Sequence, residues 1–569
     1  MDKDLRLTLS ALATSLGTAL LVGATPAATN IHPWITIGRV TYLVIQPYSY
    51  TGAPLLDICL ALILPLSASM LFREKRRVIM ILPVGLAGLM LLITKHVLPA
   101  YIMAWITMLI YSLTTIRAWG PKNTMYGLLG LLGGLGAYKV FYVLTRIITG
   151  YYPVATTPVW LDLVINYYSW PLIPVAIAAT ALISLYLLLA HILGLDSLPR
   201  RIRGWLEGPR ISRGLWNKEG ILPLFSIILS FFLAVMPFIP SINPSGRPIT
   251  TDYIYYYNWL RESLRYGVGR VMLARSDRPL YILILYTLMR ISGAGPSAVS
   301  ALQDIVLFPL YTFSAYLLAR RTMGREAAGY AALMAASSPI LLSYAYGGFQ
   351  ADLFTLSMTF IALSMILGEK RRTCLAGLVL LGITMFLHDW TWTQYTIILA
   401  AYAAATAFRA WRRREGLGWR WRMMTLYLAV SIPIDLVKTI VFGLFSSAEA
   451  IATMSRSSSL MGFGGALHFY TTLYTGGSLD NTLFYILVLP GLFAAHPLIL
   501  VASSLSLITV LIPYNIMYYR LLLNTPLPLL AGYTVSRLSK GMRILVLLEM
   551  IGLALLRILS FIPGLSLTP

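Results

Sequence analysis

The sequence predicts an all-α polytopic integral membrane protein with about 17 transmembrane helices, and three observations carry that prediction. Of its 569 residues 58% are hydrophobic and 11% charged, with a mean hydropathy of +0.75, far above an ordinary soluble domain. Apolar runs long enough to cross a bilayer as a helix, about 20 residues, recur along nearly the whole chain, whereas a β-barrel would show short alternating segments. Basic clusters occupy alternate loops between those runs, the asymmetry that orients membrane helices.

The first stretch, "MDKDLRLTLSALATSLGTALLVGATPAATN", has a charged head, an apolar middle and small residues after it, a pattern shared with signal peptides. Its head balances acids against bases, which favours a retained first helix. Further runs begin near Leu55, Val78, Leu98, Met125, Leu163 and Ile221. They continue near Val299, Ala327, Leu353, Cys374, Thr393, Met423, Thr482, Pro497, Leu521 and Ile544. With the N-terminus in the cytoplasm, "FREKRR", "RAWGPK", "RRIRGWLEGPRISRGLWNK", "ARRTMGR", "EKRR", "RAWRRREGLGWRWR" and "RLSKGMR" all fall on one side. About 29 of the 44 Lys and Arg lie there, as the positive-inside rule requires. The expectation is a multi-pass protein of the plasma membrane. Its external side receives Asp57, Asp162, Asp252, Asp277, Asp304, Asp352, Asp389, Glu449 and Asp480. The longest cytoplasmic linker, residues 196–220, separates an N-terminal helical module, 1–218, from a larger module, 219–569.

The net charge of +23 is read as orientation and contact with lipid headgroups rather than as nucleic-acid binding. Cys59 and Cys374 stand far apart in apolar runs, so no disulfide framework or thiolate metal site is expected. The six histidines are scattered, with no zinc spacing, Walker motif or dinucleotide fingerprint. The high ratio of Arg to Lys and the lack of long soluble segments point to a prokaryotic source from a hot habitat.

The unusual chemistry lies in the external loop, residues 242–298. In "TTDYIYYYNWLRESLRYGVGRVMLARSDRPL", Asp252, Tyr256 and Trp259 share one helical face, and the tyrosines suit the headgroup zone. Seven arginines between 247 and 290 oppose the topology rule, which a local anionic ligand would explain. The run "RPLYILILYTLMRISGAG" is short for a span and reads as an external interfacial helix. Gly347 and Gly348 in "YGGFQADL" read as a turn, with Asp352 either a functional carboxylate or a helix N-cap. Asp435 and Lys438, three residues apart in an apolar run, read as a structural pair.

From about Ile221 to Arg325 the order of features resembles the GT-C class of membrane glycosyltransferases, which includes protein O-mannosyltransferases, aminoarabinose transferases and oligosaccharyltransferases. That order is a span, an outer loop opening on the acid of "TTDYIYYYNWL", then "DRPL" leading into a juxtamembrane helix, then a span ending in "YLLARRTMG". The resemblance continues through "AALMAASSPILLSYAYGGFQADLFTLSM" and is preceded by an extra N-terminal helical module. It implies a sugar donor on a polyprenyl phosphate and transfer to an acceptor at the external face. A phosphate leaving group needs stabilisation of negative charge, which Arg supplies, and an acceptor hydroxyl needs a base. On this resemblance Asp252 is the expected base and attack is inverting. Arg275, Arg278 and Arg520 are the expected phosphate or lipid ligands, with Asp352, Tyr256, His388, Asp389 and Trp390 as further substrate-binding groups. Trp390 also reads as a residue of the aromatic belt. A divalent metal on Asp252 and Asp352 stays open. A transporter or flippase of an anionic or lipid-linked substrate is the alternative, and a scaffold without activity a third.

Overall fold

The computed structural model describes residues 35–37, 40–42, 129, 172–195, 220–246, 248–250, 252–274, 277–442, 478–508 and 518–560. The helical class expected from the sequence is the observed one, apart from one short antiparallel ribbon. In it β1 (Ile35–Ile37) pairs with β2 (Val40–Tyr42), two segments rich in the β-branched residues that favour a pleat.

Two helices, α1 (Leu172–Leu193) and α2 (Ile221–Val235), precede three short ones, α3 (Tyr253–Tyr266), α4 (Val268–Ala274) and α5 (Pro279–Ser292). The chain continues through α6 (Pro296–Ala301), α7 (Gln303–Thr322), α8 (Arg325–Ser337), α9 (Pro339–Gly347) and α10 (Gln350–Ile366). It then forms α11 (Arg371–Leu387), α12 (Asp389–Arg413) and α13 (Trp419–Phe442). The last described group is α14 (Ser478–Gly491), α15 (Pro497–Ile508), α16 (Tyr518–Leu523), α17 (Leu527–Arg537) and α18 (Lys540–Ser560). Apolar runs foreseen from Ile221 onward coincide with helices, while those near Leu7, Leu55, Val78 and Leu98, and that near Met125 apart from Leu129, lie outside the described residues.

The segment expected to lie at the interface is helical and one-sided, as its pattern predicts. On α3 the buried residues are Tyr256, Trp259, Leu260 and Ser263, a helical stripe. It packs with Tyr281, Ile282, Leu285 and Met289 of α5, and with Ala351 and Leu387. Pro279 opens α5 and Gly293, at φ 68, closes it, the usual proline-in, glycine-out punctuation.

At the centre stands α8, buried continuously from Ala327 to Ser337 and packed on α17, α7 and α2. Its alanines and Gly329 let backbones meet closely, as at interfaces in lipid, where dispersion rather than water exclusion drives association. A Cβ on Gly532 of α17 would lie 2.3 Å from the Cα and N of Ala331, and one on Gly491 of α14 would lie 2.2 Å from the Leu530 carbonyl oxygen. Side chains have no room at either crossing.

Two described helices, Ile221–Phe238 and Pro296–Thr322, are long and apolar enough to cross a membrane, and the bent pair Arg325–Ser337 with Pro339–Ala345, at 41°, makes up to three. Some others fall short in length, as α10 does at 17 residues against the roughly 20 a span needs, while α12, α13 and α18 are long enough but too polar. Outward faces are apolar both on a helix long enough to cross and on one that is too polar overall: Leu224, Ile228 and Phe231 on α2 and Val430, Ile434, Val437 and Ile440 on α13 are all exposed, a surface suited to lipid. Gly532→Val should destabilise the fold by about 1–3 kcal/mol or more through overpacking. A thermal melt in detergent against the wild type measures the loss, and an unchanged midpoint would contradict the backbone contact.

Candidate active site

Sequence positions from five parts of the chain meet around the turn between α9 and α10. Gly348 closes α9 in the left-handed conformation, φ 73 and ψ 25, which glycine adopts without a steric penalty. The closeness of Asp252 makes a second demand: a Cβ at Gly348 would lie 2.5 Å from the Asp252 Cβ and 2.7 Å from its N. The next residue, Phe349, lies beneath the Arg520 guanidinium, 4.9 Å from carbon to ring centroid, a cation–π contact. Gln350 hydrogen-bonds Asp304. The backbone N–H of Ala351 donates to the Tyr256 hydroxyl at 3.2 Å. Finally, Asp352 Oδ1 accepts a hydrogen bond from the Thr391 hydroxyl and lies 3.4 Å from His388 Nδ1.

Asp252 sits half-buried at the N-terminus of α3. Among the described residues its carboxylate makes no hydrogen bond or ion pair, although the fields of Arg520 and Arg278 reach it. Burial raises its pKa above the ordinary carboxylate value, and the two guanidiniums pull the other way without cancelling the rise.

Arg278 is more heavily engaged. Its Nη2 and Nε donate to Asp277 Oδ2 at 2.6 and 3.0 Å, its Nη1 donates to Tyr256 Oη at 3.2 Å, and its carbon lies 5.3 Å from the Trp259 ring centroid. Burial works against the Asp277 carboxylate, but the Arg278 charge and hydrogen bonds outweigh it and hold the pKa below the usual range. Tyr256 Oη accepts from both Arg278 and Ala351, and burial raises its pKa, so the phenol keeps its proton. Burial also pulls His388 down to about 4. Its contact with Asp352 is therefore that of a neutral imidazole, which also lies 2.9 Å from the Thr391 hydroxyl through Nδ1.

The other predicted groups form a support around this centre. Asp389 turns away from His388: its carboxylate accepts from Lys438 at 2.7 Å, and Lys438 also pairs with Asp435 at 2.8 Å. The Asp389 N–H donates to the Asp277 carbonyl at 3.0 Å, tying the start of α12 to the loop before α5. Arg520 rides on the single turn of α16, whose end is held by Asn524. That residue donates its N–H to the Arg520 carbonyl at 2.9 Å and its side-chain amide to Gln394 at 2.9 Å, and accepts from Tyr344 and Tyr395.

The structure thus brings Asp252, Tyr256, Arg278, Asp352, His388, Asp389 and Arg520 into one region, with Trp390 half-buried beside them. Arg275 lies outside the described residues, as do Asp57, Asp162 and Glu449. The N-cap reading of Asp352 is not realised: it lies in the first turn of α10, and Phe349 is the cap. Thr391, Asn524 and the bridge from Lys438 to Asp389 were not foreseen. A lone amide in "LLLNTPLPLL" was the available signal for Asn524, because polar groups in apolar runs seek partners. Among the described residues no three His, Cys, Asp or Glu cluster as a metal site.

Gly348→Ala should displace Asp252 and strain the turn by about 1–3 kcal/mol. The expected outcome is a modest fall in melting midpoint with a much larger loss of any Asp252-dependent activity, and equal, small losses in both would count against the contact. Compared with family models, with curated proteins and with solved structures, the chain matches none.

Proposed function

We propose that this chain is a glycosyltransferase, moving a sugar from a polyprenyl-phosphate donor to an acceptor hydroxyl or amide at the external face of the plasma membrane, with inversion. The observation that carries the reading is the unengaged Asp252 carboxylate, flanked by Arg278 and Arg520 and backed by a protonated Tyr256. In the reaction the acceptor oxygen attacks the anomeric carbon and Asp252 takes its proton. The bond from that carbon to the phosphate oxygen breaks, and polyprenyl phosphate leaves with the electron pair. Arg520 meets the charge that develops on the leaving phosphate. Arg278, already partnered by Asp277, adds positive field and orients Tyr256. Trp390, half-buried, would face the sugar, with Asp352 and His388 buried behind it and holding the turn.

The proposal includes the topology: about 17 spans, a cytoplasmic N-terminus and the Asp252 region outside. The apolar outward faces and the uneven distribution of basic loops support it. A transport reading draws on one observation, the buried Asp389, Lys438 and Asp435 group, since ionisable groups inside membranes often mark ion paths. Reconstituted protein separates the two: consumption of a polyprenyl-linked sugar supports transfer, while uptake without chemistry supports transport.

Asp252→Asn should lower transfer by roughly 100-fold or more while leaving donor binding largely intact, and unchanged turnover would remove Asp252 from the mechanism. A base works deprotonated, so the rate should climb with pH and level off above the raised Asp252 pKa. A profile that is flat on the acid side until the ordinary carboxylate value, about 3.9, would contradict this. Arg520→Ala should weaken donor binding roughly tenfold or more, from the loss of a charge-assisted contact, read by titration with the lipid-linked sugar.

A further inference from the structure

A second polar group lies beside the first and uses none of the residues assigned to transfer. Where the end of α2 and the segment 248–250 meet the start of α7, a small cavity is lined by Asp304, Thr250, Pro237, Phe308, Ala345 and Ile558 among others, with a volume of about 10 Å³. That holds a single water-sized particle and excludes any organic ligand.

Its polar lining lacks partners. Asp304 is 5% exposed and Thr250 7% exposed, and Asp304 Oδ1 and Thr250 Oγ1 are both buried without a hydrogen bond. Gln350 hydrogen-bonds the Asp304 carboxylate, yet its own Oε1 is again buried and unbonded. Ser300 Oγ, one helical turn before Asp304, is also buried without a partner. Besides Asp304 Oδ1 itself, three orphaned oxygens therefore occur near this carboxylate: Thr250 Oγ1, which shares the cavity lining with it, Gln350 Oε1, on the side chain that hydrogen-bonds it, and Ser300 Oγ, four residues before it. Such atoms in a folded protein call for an unseen partner.

Charge narrows what that partner is. No Lys, Arg or His among the described residues acts on Asp304, and an isolated buried carboxylate is strongly unfavourable unless it takes up a proton or holds a compensating cation. The orphaned oxygens beside it favour the cation. Carboxylate, hydroxyl and amide oxygens are hard ligands suited to alkali and alkaline-earth cations. One carboxylate balances one positive charge, whereas a divalent ion would leave an excess.

We infer that Asp304, Thr250 and Gln350 form a binding site for one small monovalent cation, of the size of sodium. The site goes beyond the transferase reading and does not depend on it. Its position is informative all the same: Thr250 stands two residues before Asp252, and Gln350 two residues after Gly348. A cation held here ties together the two chain segments that meet at the Gly348 turn.

The test uses the purified full chain in detergent, with choline chloride replaced stepwise by lithium, sodium or potassium chloride at constant ionic strength. Thermal unfolding is followed by tryptophan fluorescence, and binding of radiolabelled sodium by equilibrium dialysis. Expected are a saturable, size-selective rise in the midpoint of roughly 2–4 °C and one sodium bound per chain. Both should vanish in Asp304→Asn. Thr250→Val, which removes one ligand and keeps the charge, should weaken sodium binding roughly fivefold or more, and it decides the matter if Asp304→Asn does not fold. No sodium response in the wild type, or an undiminished response in either folded variant, overturns the proposal. So does a midpoint that shifts with pH alone, which would mean a protonated Asp304 and a water. None of these readouts involves sugar transfer, so failure here and failure of the transferase reading are told apart.

Discussion

The left-handed turn at Gly348 is the constraint on which this end of the molecule depends. An L side chain there would strain the backbone and strike Asp252, whose Cβ and N occupy the space a Cβ needs. Because the turn lies directly on α3, the four residues after it reach Arg520, Asp304, Tyr256 and Thr391 in succession. Behind it, Ser338 caps α9 by accepting from the Leu341 N–H at 3.2 Å, and the residue before Pro339 leaves the helical region at ψ 146, as proline demands of its predecessor. The bend between α8 and α9 is thus built into the chain, and the small-residue seam of α8 against α17 anchors its far side.

Electrostatics then sorts the charges into committed and uncommitted ones. Asp277 is taken up by Arg278, and Asp389 and Asp435 share Lys438. Asp352 rests on a hydroxyl and a neutral imidazole. Breaking the fully buried pairs of Lys438 one partner at a time costs roughly 3–5 kcal/mol, so these groups hold geometry. Asp252 differs: it is half-buried, its pKa is raised, and its positive neighbours stop short of pairing with it. That combination leaves a carboxylate able to take a proton while the cations beside it remain in place for an anion.

Much of this was legible in the sequence because it is local. The amphipathic face of "TDYIYYYNWL", the proline and glycine around α5, the glycine turn and the spacing of Asp435 and Lys438 all depend on residues within one or two helical turns. The unforeseen contacts join distant segments: Thr391 with Asp352 across 39 positions, Lys438 with Asp389 across 49, and Asn524 with Gln394 across 130. Periodicity carries no information about such pairs, since each helix could rotate or slide without altering its own pattern. The ribbon at Ile35–Tyr42 escaped for the opposite reason, as two strands of three residues are too short to show an alternation. The count of spans belongs with these: apolar runs near 20 residues become helices, but Pro339 and the cap at Ser338 divide one such run, and composition does not distinguish a broken crossing from a straight one.

The support of Arg520 shows what the distant contacts add. A single turn such as α16 has little stability of its own, because helix nucleation is unfavourable and six residues, Tyr518–Leu523, recover few hydrogen bonds. Asn524 supplies what is missing: its backbone closes the turn, and its side chain joins α9 through Tyr344 and α12 through Gln394. In an apolar surrounding these bonds have no competing water, so the position of Arg520 follows that of two longer helices rather than its own. One of those helices, α9, ends at Gly348. Asp252 and the cation most distant from it in sequence, Arg520, are therefore referred to the same turn, and a shift of α9 would move both together.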